Sequence, residues 1–333
     1  MNKRLEPALE AGFHLDVDTV RYLSLSTPPE RIRDRLAIEV SPHSFLPEVE
    51  DLRRDWVASV AVPAFKLIRE RQGVQRAFCS IGTGSGLDAL AAIETLGSTR
   101  IGITDVHEDV VRSAADNIRR NLKASHPVKL EAGYGDLFSP LRDEHPRYEL
   151  VYENLPNVPI ADETKLAEAR VSSSHLAPRV ETIPELVKTQ LLALHYLALR
   201  QAHEFLAPGG AVLSMLGSRI PLSVYRELAR LAGYRGEIYT YGWKLQADAE
   251  AVIEGHSQQQ RAGYGPFHFY PVERLEKAFE ALSLAASGAL AFEIEASLAP
   301  HRLDPVAALD ALQRGEPVGH TVAVLRSTPE DKA

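Results

Sequence analysis

From about Arg76 onward, short apolar runs alternate with amphipathic stretches, the pattern of βαβ units and a parallel sheet. The runs Arg76–Ile81, Arg100–Thr104, Val128–Ala132, Glu149–Tyr152, Ala211–Leu216 and Glu237–Tyr241 predict six strands, and His320–Arg326 predicts a last one. Between them, Leu87–Leu96 follows a glycine loop. The stretch Glu108–Leu122 sets Val110, Val111, Ala114, Ala115, Ile118 and Leu122 at helical spacing. A long helix is predicted over Leu186–Leu206, with Pro208-Gly209-Gly210 as its stop signal. A helix-rich stretch from Pro271 to Leu312 precedes the last strand. The architecture expected is a doubly wound, mostly parallel, seven-stranded α/β sheet.

The first 72 residues lack this alternation. Asp51–Arg71 has helical spacing interrupted by Pro63, and prolines 28, 29, 42 and 47 cut the preceding stretch into short pieces. A helical N-terminal region over 1–72, covering the substrate, is therefore expected beside an α/β domain over 73–333. Within that domain the core spans 76–242, and a C-terminal lid with the last strand spans 243–326.

Composition narrows the function classes. The chain is 45% hydrophobic and 25% charged, as in an ordinary globular protein, with 37 basic and 45 acidic residues and a formal charge of −8. No basic run interrupts that balance, so nucleic acid held by its phosphates is not the expected partner. The one cysteine, Cys79, excludes a disulfide framework and a cysteine-based zinc site. His195 and His203 have no partner at metal spacing, and no metal is expected. The Leu186–Leu206 stretch carries Lys188, Gln190, His195, Arg200 and Glu204, so it cannot span a membrane. Met1-Asn2-Lys3-Arg4 leads into no apolar signal core, and a cytoplasmic protein is expected.

The segment Phe78-Cys79-Ser80-Ile81-Gly82-Thr83-Gly84-Ser85-Gly86 runs from a strand through a glycine loop into a helix. Glycines let the chain turn sharply and let a ligand approach without a Cβ in the way. The helix start offers unpaired N–H groups. A dinucleotide fingerprint would require a small residue where Leu87 stands. The G-x-G-x-G spacing instead resembles motif I of the class I S-adenosylmethionine methyltransferases, although a tight turn alone could explain it. Asp105 ends the second strand of the unit 19 residues after Gly86, followed by Val106. A carboxylate there can accept both hydrogen bonds of a ribose diol, or cap the next helix. Asp136-Leu137, after Gly135, resembles the family's adenine-facing turn.

Glu153-Asn154-Leu155-Pro156-Asn157 stands where nitrogen-directed members carry Asp/Asn-Pro-Pro-Tyr/Phe. Asn154 and Pro156 match, whereas Leu155 replaces the first proline and Asn157 the aromatic. The resemblance implies that Asn154 accepts from the target amine, with Asn157 and Tyr152 as further catalytic candidates. It implies S-adenosylmethionine held by Gly82, Thr83, Gly84, Gly86, Asp105, Val106, Asp136, Leu137 and Asn154. Without the ring, nucleobase and glutamine side-chain substrates are disfavoured.

Eight aromatics crowd residues 234–270. Of these, Tyr241, Trp243 and Tyr264 are read as lid residues able to stabilise a sulfonium, with core packing as the other reading. Pro156, and His175 and Arg179 in the long connection after the fourth strand, are candidate substrate contacts. The function expected is methyl transfer to an amine of a small molecule in specialised metabolism. An alternative is suggested by similarity to the methyltransferase-like azetidine-2-carboxylate synthases: the amine of S-adenosylmethionine attacks its own Cγ and expels methylthioadenosine. A non-catalytic nucleoside-binding module is the third reading, and a homo-oligomer is compatible with all three.

Overall fold

The computed structural model describes residues 13–143, 146–159, 181–246 and 248–330. Its central sheet contains β3 (Ala77–Ile81), β4 (Arg100–Asp105), β5 (Lys129–Tyr134), β6 (Tyr148–Glu153), β7 (Leu206–Ser218), β8 (Tyr234–Leu245) and β10 (Val318–Pro329). The spatial order is β5-β4-β3-β6-β7-β10-β8. The pairs among β3, β4, β5, β6 and β7 are parallel, and β10 is antiparallel to both neighbours. A two-residue strand, β9 (Tyr270–Pro271), pairs with the start of β10 and makes the sheet eight-stranded, one more than the sequence pattern predicts.

Apolar runs form the strands because both faces are covered. On β6, Val151 faces one apolar cluster while Leu150 and Tyr152 face the other. On β7, Val212 and Leu216 alternate in the same way with Leu213 and Met215. The parallel arrangement brings the carboxyl ends of β3 through β8 to one edge, and the antiparallel β10 begins there. Ligands of open α/β sheets bind at this edge.

Three segments differ from the expectation. The N-terminal region contains an antiparallel hairpin, β1 (Phe13–Asp18) with β2 (Arg35–Val40). Two asparagines on the helix Glu108–Asn121 dock it. Asn121 accepts from the Ala37 N–H (2.9 Å) and donates to the Ala37 carbonyl (3.0 Å), and Asn117 does the same for Glu39 (2.9 and 2.7 Å). The two amides, one helical turn apart, satisfy backbone groups of β2. Pro63 does not interrupt its helix: a π turn, Val57–Ala61, leads into Val62–Gln72 with Pro63 in the first α turn, where its missing N–H costs little. The predicted long helix is two, Glu185–Thr189 and Ala193–Ala202, separated where Leu191 takes φ +58°. Val17, Tyr22, Ile38 and Phe65 share one apolar cluster with Phe78, Ile103 and Tyr152 of the sheet. Among the described residues, no helix is long and apolar enough to cross a membrane.

Candidate active site

The carboxyl edge of the sheet opens into a cavity of about 570 Å³. At one end lies the glycine loop. Gly82 and Gly84 take φ +71° and +53°, a region that favours glycine. The Gly82 and Thr83 N–H groups donate to the Thr104 carbonyl (2.9 and 3.1 Å), which pins the loop to β4. A Cβ added to Gly82 would lie 3.0 Å from Leu155 Cδ2, so the glycine loop and the Asn154–Asn157 loop abut. Gly86 does not line the cavity. It caps the next helix and packs on Ala114.

Asp105 sits across from the loop. Its Oδ2 accepts from the Gly84 N–H (3.4 Å) and its Oδ1 from the His107 N–H (3.2 Å). Burial raises the carboxyl above its ordinary value, and these hydrogen bonds oppose the rise. Val106, Asp136 and Leu137 line the same end, as do the exposed Phe45 and Leu46 of the N-terminal region. Phe138 turns away to stack on Phe205, with ring centroids 4.7 Å apart. Asp88 also lines the cavity. It accepts from the Ser80 and Thr83 hydroxyls and from the Ala89 N–H (2.6 Å), and burial pushes its carboxyl up to about 6.

Asn154, Leu155, Pro156 and Asn157 form the middle wall. Glu153 anchors their loop from within the core: it accepts from the Leu155 N–H (3.2 Å) and meets His195 Nδ1 at 2.8 Å. Asn157 Nδ2 donates to the Leu191 carbonyl (3.5 Å). Tyr152 lines the cavity from a buried position, its ring edge-on to Phe65 at 5.6 Å. Burial holds its phenol well above the ordinary value, so it is a wall rather than a base.

No family model matches the chain. The release factor glutamine methyltransferase of Streptomyces coelicolor is 27% identical over 184 residues, which cover 54% of this chain and 57% of that protein. The match thus spans little more than half of that relative. A ribosomal protein L11 methylase from Lactobacillus delbrueckii subsp. bulgaricus is a similar solved structure at 14% identity, covering 67% of this chain and 90% of that one, with a TM-score of 0.39. A SAM-dependent methyltransferase from Agrobacterium tumefaciens matches at 13% identity over 69% and 60% of the two chains, with a TM-score of 0.38. The sheet order, with β10 antiparallel to both neighbours, identifies the fold. This is a class I methyltransferase fold. S-adenosylmethionine is the ligand that class I methyltransferases take. The glycine cradle that a Cβ would obstruct, and the half-buried Asp105 facing it, fit that ligand.

In this methyltransferase fold, the aromatics predicted as a lid lie elsewhere. Tyr241 is buried against Phe279 (5.5 Å), and Trp243 and Tyr264 pack on the same apolar cluster. Strand alternation is the reason. Tyr241 and Trp243 are two apart on β8 and share its packed face, whereas Lys244 enters the cavity. The aromatic walls come instead from Trp56, Tyr22, Phe45 and Tyr152. His175 and Arg179 lie outside the described residues.

The cavity's far end holds residues that the motifs did not flag: Trp56, Arg219, Lys244 and His320. Lys244 and His320 lie in strands that also carry Arg235, Glu237 and Arg326, so a charged or titratable residue within a strand does not single them out in the sequence. Asp55 fixes the Trp56 segment by accepting from the Tyr22 hydroxyl (2.8 Å), the Ala58 N–H (2.8 Å) and the Glu48 N–H (3.1 Å). At the rim, His43, His107 and Asp109 bring potential metal-ligating atoms within 4.8 Å of one another, a grouping invisible in their sequence spacing. Asp109 already accepts there from Ser41 and from His43 Nδ1 (2.9 Å).

Proposed function

We propose that this chain is a cytoplasmic S-adenosylmethionine-dependent enzyme of specialised metabolism that methylates an amine nitrogen of a small molecule. The observation that carries the reading is the contact between the glycine loop and the Asn154–Asn157 loop, through Gly82 and Leu155, at the edge of one cavity. Asp105 would accept from the ribose diol, Asp136 and Leu137 would face the adenine, and the N–H groups of the glycine loop would meet the polar tail. When bound, the cofactor supplies an electrophilic methyl carbon. The Asn154 side-chain oxygen then accepts from the acceptor N–H and turns the nitrogen lone pair toward that carbon. Holding two reactants in line supplies roughly 7–11 kcal/mol of the barrier lowering.

The name of the Streptomyces relative points to a glutamine side chain. Here Leu155 and Asn157 replace the proline and the ring of the nitrogen-directed pattern, and Asn157 is turned to the Leu191 carbonyl. That loop offers no aromatic platform for a planar amide or base, which supports a small, flexible amine. The test is release of S-adenosylhomocysteine over a panel of small amines. Asn154→Ala should lower turnover about 100-fold while leaving cofactor affinity within threefold, and full turnover by that variant overturns the assignment.

The missing platform also favours a second reading, in which S-adenosylmethionine is the whole substrate. Its α-amine nitrogen would bond to Cγ as the Cγ–S electron pair leaves with sulfur, giving azetidine-2-carboxylate, methylthioadenosine and a proton. Incubation without acceptor, followed by mass spectrometry, separates the two. Methylthioadenosine with the four-membered amino acid supports the cyclase, and unchanged cofactor supports methyl transfer.

A further inference from the structure

At the far end of the cavity two cationic side chains, Arg219 and Lys244, flank His320 of β10. Arg219, just past β7, donates to Gln246 Oε1 and lies 3.2 Å from His320 Nε2, with its guanidinium 5.7 Å from the Phe269 ring centre. Lys244, near the end of β8, is 4% exposed. Its Nζ donates to the Arg54 carbonyl (2.5 Å) and sits 4.4 Å from the centre of the Trp56 ring. Neither cation forms an ion pair with a carboxylate among the described residues. The Arg219 Nε and the His320 Nδ1 are buried with no hydrogen-bond partner among those residues. Of the two acids near Lys244, Asp55 has both oxygens engaged by the Tyr22 hydroxyl and the Ala58 and Glu48 N–H groups, and the exposed Glu48 carboxylate forms no ion pair with either cation.

Buried cations are ordinarily paired, because an uncompensated one forfeits its hydration without a return. Both charges line the cavity. We infer that this end of the cavity is a carboxylate-binding site, with Arg219 and Lys244 as its cationic walls and Trp56 as its apolar floor. The inference rests on the reading of the opposite end as the S-adenosylmethionine site. Burial depresses Lys244 to about 7, as expected of a cation lacking its anion. The guanidinium supplies a planar fork suited to a carboxylate.

Position separates this site from the glycine loop. In the sheet order, β7 lies two strands from β3, and β10 lies three. Lys244 is on β8, a further strand out, so at about 4.8 Å per strand Arg219 and Lys244 stand roughly 10 and roughly 19 Å from the glycine loop, beyond Asn154. A carboxylate there belongs to the group on the acceptor side of Asn154, which makes the substrate an amino acid or a related amino carboxylate. It is either a separate acceptor or the aminobutyrate arm of S-adenosylmethionine extended past the reacting carbon.

Calorimetric titration of wild type, Arg219→Gln, Arg219→Lys and Lys244→Met tests this. The ligands are S-adenosylmethionine, its decarboxylated analogue, and amino acids with their decarboxylated amines in the presence of S-adenosylhomocysteine. The expected result is a loss of tenfold or more for carboxylate-bearing ligands in Arg219→Gln and Lys244→Met. The decarboxylated counterparts should be unchanged, and Arg219→Lys should recover part of the loss. If the loss falls on the amino acids, the carboxylate is an acceptor's. If it falls on S-adenosylmethionine alone, the carboxylate is its own. An unchanged ratio of carboxylate to decarboxylated binding in both variants overturns the inference. Failure of wild type to bind S-adenosylmethionine or S-adenosylhomocysteine instead overturns the cofactor reading, and the amino-acid titrations without nucleoside still report on the cations.

Discussion

Glu153 and His195, 42 residues apart in sequence and both fully buried, meet at 2.8 Å directly behind the Asn154–Asn157 loop. The same carboxylate accepts from the Leu155 N–H, so one buried pair fixes the loop that faces the glycine turn. Removing one member of a buried pair strands the other. Glu153→Ala should therefore destabilise the protein by about 3 kcal/mol or more. Glu153→Gln, which keeps acceptors for the ring and the backbone N–H, should cost less. Urea unfolding of the two variants checks the order, and an equal loss would show that the acceptor is immaterial.

Asp105 is expected to control affinity for the nucleoside. Asp105→Ala removes a charged acceptor worth about 1.5–3 kcal/mol, so binding of S-adenosylhomocysteine should weaken roughly 10- to 150-fold by calorimetry. Burial raises this carboxyl, and protonation removes acceptor capacity. Affinity should thus fall on acidification at a pH above that of an ordinary aspartate, and Asp105→Asn should lose this dependence.

Asp88 gives a stability signature of defined sign. Its pKa rises from 3.8 to about 6 on folding because the carboxylate is buried. Between those values the folded state holds more protons than the unfolded one, so the contribution is fully present below about 4 and is lost as pH rises through about 6. The span amounts to about 3 kcal/mol. In urea unfolding at pH 4.5 and 7, wild type should lose stability relative to Asp88→Asn on going to the higher pH.

What the sequence disclosed, and what it hid, follows the range of the interactions. The strands of the sheet are local apolar runs, and Gly82, Asp105, Asp136 and Asn154 stand at or just past strand ends, so order along the chain is enough to find them. The β1–β2 hairpin was not legible because its docking partners are Asn117 and Asn121, a helix's side chains some eighty positions away. The far end of the cavity was hidden for the same reason: Trp56, Arg219, Lys244 and His320 come from four separate segments. The 234–270 aromatics misled because their density could be counted without knowing which face of β8 each occupies.

Trp56 and Trp243 should exchange the roles that density suggested. Trp56 faces the cavity beside Lys244, whereas Trp243 packs on the core. Trp56→Ala should lower turnover roughly tenfold, in keeping with loss of an aromatic face beside a desolvated cation. Trp243→Ala should leave turnover within threefold and instead cost about 2 kcal/mol of stability through lost packing. Parallel kinetics and thermal melts read both quantities. The reverse pattern would restore the β8 aromatics as the lid.

Lys244 titrates within reach of neutral pH. Burial lowers it from 10.5 to about 7, with Arg219 pushing the same way and Asp55 and Glu48 opposing. The folded state then binds fewer protons than the unfolded chain between about 7 and about 10.5, so stability contributed at this site rises with pH across that window. The slope for one proton is at most about 1.4 kcal/mol per pH unit. Wild type should gain on Lys244→Met as pH goes from 7 to 9 in urea unfolding. A bound carboxylate would favour the ammonium and lift its pKa, so binding should take up a proton near pH 8. Titration of wild type in buffers of different ionisation enthalpy reads that uptake, and it should vanish in Lys244→Met. Persistence of the uptake in the variant would place the proton elsewhere, as on His320.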